Sequence, residues 1–329
     1  MYINKTLTNH SLESGGKKAL AAVLNYAFVV AFVVLFLIFT LSTKAFFTPN
    51  NFIQLLTDSS SYFILCAGIT FTVITGNLDL SVGSVVLTAG YTSIILSNMG
   101  APLAMVFIVP IAIGALVGLI NGILIAKLKM QAFIATMGMM ILLRGITLTI
   151  TDGKYYYPSD PFGQIMTYKV GGLIPITIII TITLLVLFQI MLRYSKFGRH
   201  LIAIGCNEVS AGKMGINVSK YKICTFIVCG ICAAAAGMIA VTNVATVTPA
   251  TGQGVEFTAT AMVLLGGTSL FGGKGSFMPG IIFGVLFLLM IQNGLSIMGV
   301  NPYYMPIVRG ICIFMAMFSD SIKTMISNR

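Results

Sequence analysis

Of the 329 residues, 57% are hydrophobic and 8% are charged, whereas a soluble globular domain carries roughly 25% charged residues. That excludes a soluble enzyme or binding module and points to an all-α integral membrane protein whose solvent is mostly lipid. The net charge of +11 does not indicate nucleic acid, because the basic residues sit in the links between apolar runs, where they set topology.

Residues 1–18 are polar, and the apolar run Ala19–Leu41 that follows is too long for a signal-peptide core and has no small-residue cleavage site after it. Residues 1–21 therefore read as a cytoplasmic N-terminal segment ahead of a retained first helix. Roughly 20 apolar residues cross the hydrocarbon core. Counting runs and breaks predicts about ten transmembrane helices: 22–42, 59–76, 81–98, 103–126, 131–150, 173–192, 223–243, 258–271, 277–297 and 304–320. The third, eighth and tenth are short, and "AFFTPNNFIQLLTD" (45–58) reads as interfacial. Residues 22–320 are then the transmembrane domain and 321–329 a cytoplasmic tail.

The basic residues orient this array. With the N-terminus inside, the inner side collects fourteen lysines and arginines and the outer side only Lys44, Lys154 and Lys169. Both termini are expected in the cytoplasm.

The chain also repeats itself. "DLSVGSVVLTAG" (79–90) aligns without a gap on "EFTATAMVLLGG" (256–267), pairing Asp79 with Glu256, Ser81 with Thr258 and Gly90 with Gly267. Asn121-Gly122 and Arg144-Gly145 are echoed by Asn293-Gly294 and Arg309-Gly310. The copies begin five spans apart, so they are inverted-topology repeats, as in transporters built around a midplane path.

Gly76 breaks span two, Ser81 is a natural N-cap for span three, and Thr258 repeats that role for span eight. Asp79 and Glu256 sit two residues ahead of these caps. They either serve the helix starts or line the solute path and its gates, with Asp79 toward the inner face and Glu256 toward the outer. Arg144 and Arg309 are costly inside a membrane segment. They snorkel or form ion pairs, or else meet the path or an external partner. Asn121 and Asn293 are hydrogen-bond glue between helices or solute ligands.

Six cysteines lie mostly in apolar runs, and Cys229-Gly-Ile-Cys232 falls inside a span, so no disulfide framework is implied. "GGTSLFGGKGS" (266–276) fails the phosphate-loop pattern twice, at Thr268 and at Gly275. There are no metal spacings (His10 and His200 are the only histidines) and no nucleophile–base pair. No catalytic or metal site, no bound cofactor and no ATPase machinery are expected in this chain.

The inner link 193–222 is longer than a helix–helix connection needs. "NEVSAGKMG" reads as a short helix capped by Asn207 and ended by Gly215, and a structured inner loop suggests a docking site for an engine. A proton-coupled secondary transporter working through Asp79 or Glu256 is the rival reading.

"TGNLDLSVGSVV", "KMQAFIATMGMMILLRG" (129–145), "GRHLIAIGCNEVSAGKMGINV" (198–218), "LLGGTSLFGGKGS" (264–276) and "NGLSIMGVNPYYMPIVRG" (293–310) resemble the permease subunit of ribose-type (monosaccharide) ABC importers, in order and over nearly the whole chain. The resemblance implies a homodimer in the lipid of the bacterial inner (cytoplasmic) membrane. It implies a tandem-cassette ATPase that binds ATP on the inner side and a soluble sugar-binding protein outside. It makes 193–222 the coupling segment, with Arg199, Asn207, Glu208, Ala211 and Gly215 on the matching motif. Asn77 stands where the family usually has Gly, and Val255-Glu256-Phe257-Thr258 where it commonly shows Tyr-Glu-Leu-Asp. The sugar could therefore be ribose, another pentose, a hexose or a sugar-like signal.

Overall fold

The computed structural model describes residues 29–172 and 174–327. The expected segment 1–21, the start of the first span and the last two residues of the tail lie outside the described residues. The order is α1 (Val29–Ser42), α2 (Pro49–Ile74), α3 (Val82–Asn98), α4 (Leu103–Ala126), α5 (Ala132–Thr151), α6 (Asp160–Thr167), β1 (Lys169–Val170), β2 (Ile174–Pro175), α7 (Ile176–Tyr194), α8 (Lys196–Cys206), α9 (Glu208–Lys213), α10 (Val218–Val244), α11 (Val255–Leu265), α12 (Ile282–Ile297) and α13 (Met305–Ser327). Among the described residues the one small sheet is an antiparallel hairpin pairing Lys169 with Pro175.

Among the described residues six helices are long and apolar enough to cross a membrane, and four further apolar stretches are shorter: Val29–Ser42, Val82–Asn98, Val255–Leu265 and Met305–Met315. The chain is an all-α, multi-pass membrane protein. Two boundaries differ from expectation. Residues 49–58, read as interfacial, are the first turns of the 26-residue α2, because Pro49 is pre-organised for a helix start and the run behind it never breaks. The eighth segment, expected at 258–271, is an 11-residue helix. At 1.5 Å per residue it reaches about 16 Å, roughly half the hydrocarbon thickness.

The chain divides into two compact units, residues 49–289 and residues 1–48 with 290–329. In the larger, α10 is the hub, packed on α2, α3 and α4. Its contact with α4 is made by glycines one turn apart. A Cβ at Gly114 would stand 2.3 Å from the Gly230 carbonyl oxygen, and one at Gly118 would stand 2.2 Å from that of Phe226. Lipid offers no hydrophobic drive to bring helices together, so close backbone approach between small residues supplies the packing energy. Cys229 and Cys232 belong to this seam. Both are free and buried, and a Cβ at Gly68 of α2 would meet the Cys232 Cβ at 2.7 Å.

At one end of this unit the loop 152–175 folds back on the helices. Tyr156 bridges Val247, the Tyr91 hydroxyl donates to the Lys154 carbonyl at 2.9 Å, and Phe162 is buried among Leu87, Tyr91, Val106 and Met238. In the smaller unit the Phe39 ring meets Phe46, with centroids 5.4 Å apart, and seats Gly294 of α12.

Candidate functional site

Two broken helices build the site. α2 stops at Ile74, where Gly76 takes φ +73° and reverses the chain. The short segment after it enters the protein interior before α3 begins. Asp79 is 2% exposed. Its Oδ1 accepts from the Ser81 backbone N–H at 2.9 Å and from the Ser81 hydroxyl at 2.6 Å. Asn121 of α4 donates to the Ser81 oxygen at 2.9 Å, and the Cys229 thiol also faces Asp79. Ser81 occupies the N-cap position but makes no side-chain cap bond. The expected cap is therefore corrected: a buried carboxylate is the stronger acceptor, so the serine hydroxyl turns to Asp79 instead of to the helix. The Asn121 Oδ1 is buried and has no partner among the described residues.

The second start differs more. α11 begins at Val255, with Gly254 (φ +74°) at its N-cap. Thr258 does not cap it. It lies one turn inside and donates its hydroxyl to the Gly254 carbonyl at 3.0 Å. Positive φ at Gly252 and Gly254 lets the backbone enter the helix early, which sequence alignment with Ser81 does not register. Glu256 therefore stands in the first turn of α11, 5% exposed.

These starts meet. A Cβ built on Gly83, in the first turn of α3, would lie 2.2 Å from Glu256 Oε2 and 2.5 Å from the Gly252 carbonyl oxygen. The start of α3, four residues after Asp79, therefore packs against the start of α11 and its Glu256. At its other end α11 leads to a turn in which Gly273 N–H donates to the Ile74 carbonyl at 2.9 Å. The segment carrying Asp79 thus runs alongside α11. The Glu256 Oε2 is buried without a hydrogen-bond partner among the described residues.

Arg144 of α5 is half-buried and turned toward backbone carbonyls. Its Nη1 donates to the Pro249 carbonyl at 3.0 Å and its Nη2 to the Thr251 carbonyl at 3.2 Å, so the planar fork clamps the loop that delivers Glu256. Asn293 and Arg309 belong to the smaller unit, on α12 and α13. Asn293 is half-buried, and the Arg309 Nε is buried without a hydrogen-bond partner among the described residues.

At the end where α2 stops, residues 193–222 carry α8 and α9. Asn207 caps α9 by accepting from the Ser210 N–H at 2.8 Å, and Gly215 at φ +82° ends the turn after it. Ala211 is buried, whereas Val209 and Met214 of α9 and its exit are exposed. Arg199 is exposed and donates to the Tyr194 carbonyl at 3.0 Å. Glu208 bonds Lys222 of α10 at 2.5 Å and lies 3.7 Å from Lys129, between α4 and α5. Partial burial pushes the Glu208 carboxyl up, but the hydrogen bond and charge of Lys222, with Lys129, hold it below its ordinary value. α8 sits directly on the broken end of α2. A Cβ at Gly205 would stand 1.9 Å from the Ile74 carbonyl oxygen and 2.2 Å from the Gly273 nitrogen.

The structure thus brings together Asp79, Ser81 and Asn121 in one cluster, and Glu256 beside it with Arg144 behind. The sequence reading missed Gly83 and Gly252, whose close approach leaves no periodic signal. It also missed Lys222 and Lys129 as partners of Glu208. The glycine row on α4 was readable as a small-residue stripe in "GALVGLING". Polar groups gathered at two touching helix starts can hold or gate a small polar solute.

The family model described as "Branched-chain amino acid transport system / permease component" matches residues 51–317. The chain is 35% identical over 300 residues to the ribose import permease protein of Escherichia coli K12, covering 90% of this chain and 93% of the relative. It is 35% identical over 299 residues to the ribose import permease protein of Bacillus subtilis 168, covering 88% and 91%. It is 33% identical over 304 residues to the L-arabinose transport system permease protein of E. coli K12, covering 91% and 90%. No solved structure matches the chain significantly.

Proposed function

This chain belongs to the family of the branched-chain amino acid transport system permease component and stands among its ribose-type members, and from that premise we propose how it works. It is the permease subunit of an ABC importer for a monosaccharide, related to permeases named for ribose, allose and arabinose. It hydrolyses nothing itself. A partner ATPase binds ATP, and a soluble binding protein supplies the solute.

The finer reading rests on the meeting of Gly83 with Glu256, which carries it. Two helix starts brought into contact, α3 and the short α11, fit inverted repeats arranged around a midplane path. In this reading there are ten membrane segments within residues 22–320, with residues 1–21, 193–222 and 321–329 in the cytoplasm. The protein is a homodimer in the lipid of the bacterial inner membrane. Asp79, Ser81, Asn121, Glu256 and Thr258 flank the path or its gate, and Asn293 of α12 is a further candidate for it. Arg144 positions the gate, and Arg309 is its counterpart in the second repeat. Arg199, Asn207, Glu208, Ala211 and Gly215 shape the segment on which the ATPase acts.

Alternating access follows from the contacts. Closure of the ATPase displaces α8 and α9, and Gly205 passes that displacement to Ile74 and Gly273. The broken end of α2 carries Asp79, and the 266–276 turn carries the far end of α11. Both sides of the Gly83–Glu256 contact are therefore moved from one lever.

The test is ATP hydrolysis in proteoliposomes holding this chain with its tandem-cassette ATPase, with and without binding proteins loaded with ribose, allose or arabinose. Stimulation by one loaded protein is expected, and it names the solute. No stimulation, together with uptake that stops when the proton gradient is collapsed at constant ATP, would replace the importer by a proton-coupled transporter.

A further inference from the structure

The larger unit carries a pair of adjoining chambers away from the helix starts. One, of about 830 Å³, is apolar and lined by Ile64, Phe107, Ile180, Leu184 and Met238 from α2, α4, α7 and α10. The other, of about 330 Å³, is half polar, with Asn50, Gln54, Asn243 and Lys169 beside Ile53 and Pro175. Met166 lines both, and the wall passes from one to the other along a single stretch, with Pro175 in the polar chamber and Ile176 and Thr177 in the apolar one. The larger volume falls within the roughly 300–1,000 Å³ typical of ligand sites.

Two further observations say what fits. Lys169 is exposed and has no ion-pair partner among the described residues. Thr177 is 2% exposed, and its Oγ1 is buried without a hydrogen-bond partner among the described residues, although it lies on the wall of the apolar chamber. A buried hydroxyl left unpaired in apolar surroundings is unfavourable, so its position asks for an acceptor supplied from outside the chain. The required ligand has an anionic group at one end, a hydrogen-bond acceptor one step deeper and hydrocarbon beyond that.

We propose that these chambers hold one glycerophospholipid of the surrounding bilayer: its phosphate on Lys169, an ester carbonyl accepting from Thr177, and its acyl chains in the apolar chamber. The order of chemistries along the wall is the order along such a lipid, from phosphate through ester to chain. The lipid seals the gap between α2, α7 and α10 beside the α6 loop, where side chains leave the space unfilled. The membrane-spanning reading underlies this, and the orientation proposed above assigns the site to the outer leaflet. Retention of lipid is read independently of transport.

The experiment is native mass spectrometry of the full chain, purified in detergent with its ATPase, with solvent extraction to identify what is retained. The wild type is expected to hold a glycerophospholipid through washing. Lys169→Ala is expected to lower retention by about tenfold, the effect of losing one charge-assisted bond. Thr177→Val weakens it further, Ala235→Phe fills the chamber and excludes the lipid, and Lys154→Ala, in the same loop, changes nothing. Lys169 is exposed, so its variant remains informative if Ala235→Phe does not fold. A lipid-free wild type, or equal retention in Lys169→Ala and Ala235→Phe, overturns the proposal. So does an Ala235→Phe protein that loses its second copy and keeps its lipid, because the groove is then an interface between chains.

Discussion

Gly83 lies against Glu256 with no room for a side chain between them. The Cβ that any other residue would bring stands 2.2 Å from Oε2, and from Gly252 the same contact is closed by the Gly83 carbonyl, 2.2 Å from a built Cβ. Backbone meets backbone at the point where α3 and α11 begin, and the acid sits in the wall of that contact.

Gly83→Ala should therefore separate the two helix starts. The expected effect is a loss of about 1–3 kcal/mol of stability, the usual result of overpacking, together with loss of uptake. Gly138→Ala on α5, where nothing lies within 4 Å of the new Cβ, should leave both unchanged. Thermal unfolding in detergent and uptake in proteoliposomes measure the pair. Equal behaviour of the two variants would remove the contact from the mechanism.

Arg144 holds the loop through two carbonyls, at Pro249 and Thr251, and a lysine cannot reproduce that fork. Arg144→Lys should insert normally but lose most stimulation of the ATPase by loaded binding protein, and Arg144→Met should lose more. Each bond from a charged donor contributes about 1.5–3 kcal/mol, so the loop should also become accessible to protease. Full stimulation in Arg144→Lys would reduce the arginine to a local anchor.

The Glu208 bridges give a pH dependence with a defined sign. Its folded-state value is held below the ordinary 4.5, so the bridges stabilise the protein above that value and the contribution disappears as the pH falls through the lowered one. With 42% of the Glu208 side chain exposed, screening keeps it to no more than about 1 kcal/mol. Wild type and Glu208→Gln should differ in melting temperature at pH 7, and the gap should close on acidification below about 4.5. A gap that widens in acid would reverse the assignment. Glu208→Lys combined with Lys222→Glu should restore coupling that either single change impairs.

The α9 cap isolates the coupling role. Asn207→Ala removes the acceptor for the Ser210 N–H and should cost about 1 kcal/mol of local helix stability, leaving membrane insertion intact while ATP hydrolysis runs with less uptake per turnover. Scrambling residues 207–215 should abolish uptake altogether. Normal uptake in the scrambled protein would show that the ATPase docks elsewhere.

Thiol labelling reads topology directly. Cys206 is exposed at the end of α8, whereas Cys229 and Cys232 are buried in the α10 seam. A membrane-impermeant maleimide should modify Cys206 in inside-out vesicles and not in intact spheroplasts, and should spare Cys229 and Cys232 in both. Labelling of Cys206 from the outside would invert the proposed orientation.

The sequence by itself determined the class of molecule, because hydropathy acts along a single run and each apolar stretch of α2, α4, α5, α7, α10 and α12 announces itself without reference to any other. It determined the α9 cap for the same reason, since Asn207 and Ser210 are neighbours in the chain. The family was legible in motifs that run through nearly all of it. What only the tertiary structure decided are relations between distant residues. α11 is a half-helix because glycines at 252 and 254 turn the chain inward early, and neither hydropathy nor alignment with Ser81 carries backbone dihedrals. The starts of α3 and α11 touch because Gly83 admits Gly252. Arg144 is a clamp because its acceptors are carbonyls, and every residue in the chain has one. Backbone approach and backbone acceptors are the same chemistry at every position, so their use at these few is decided by packing.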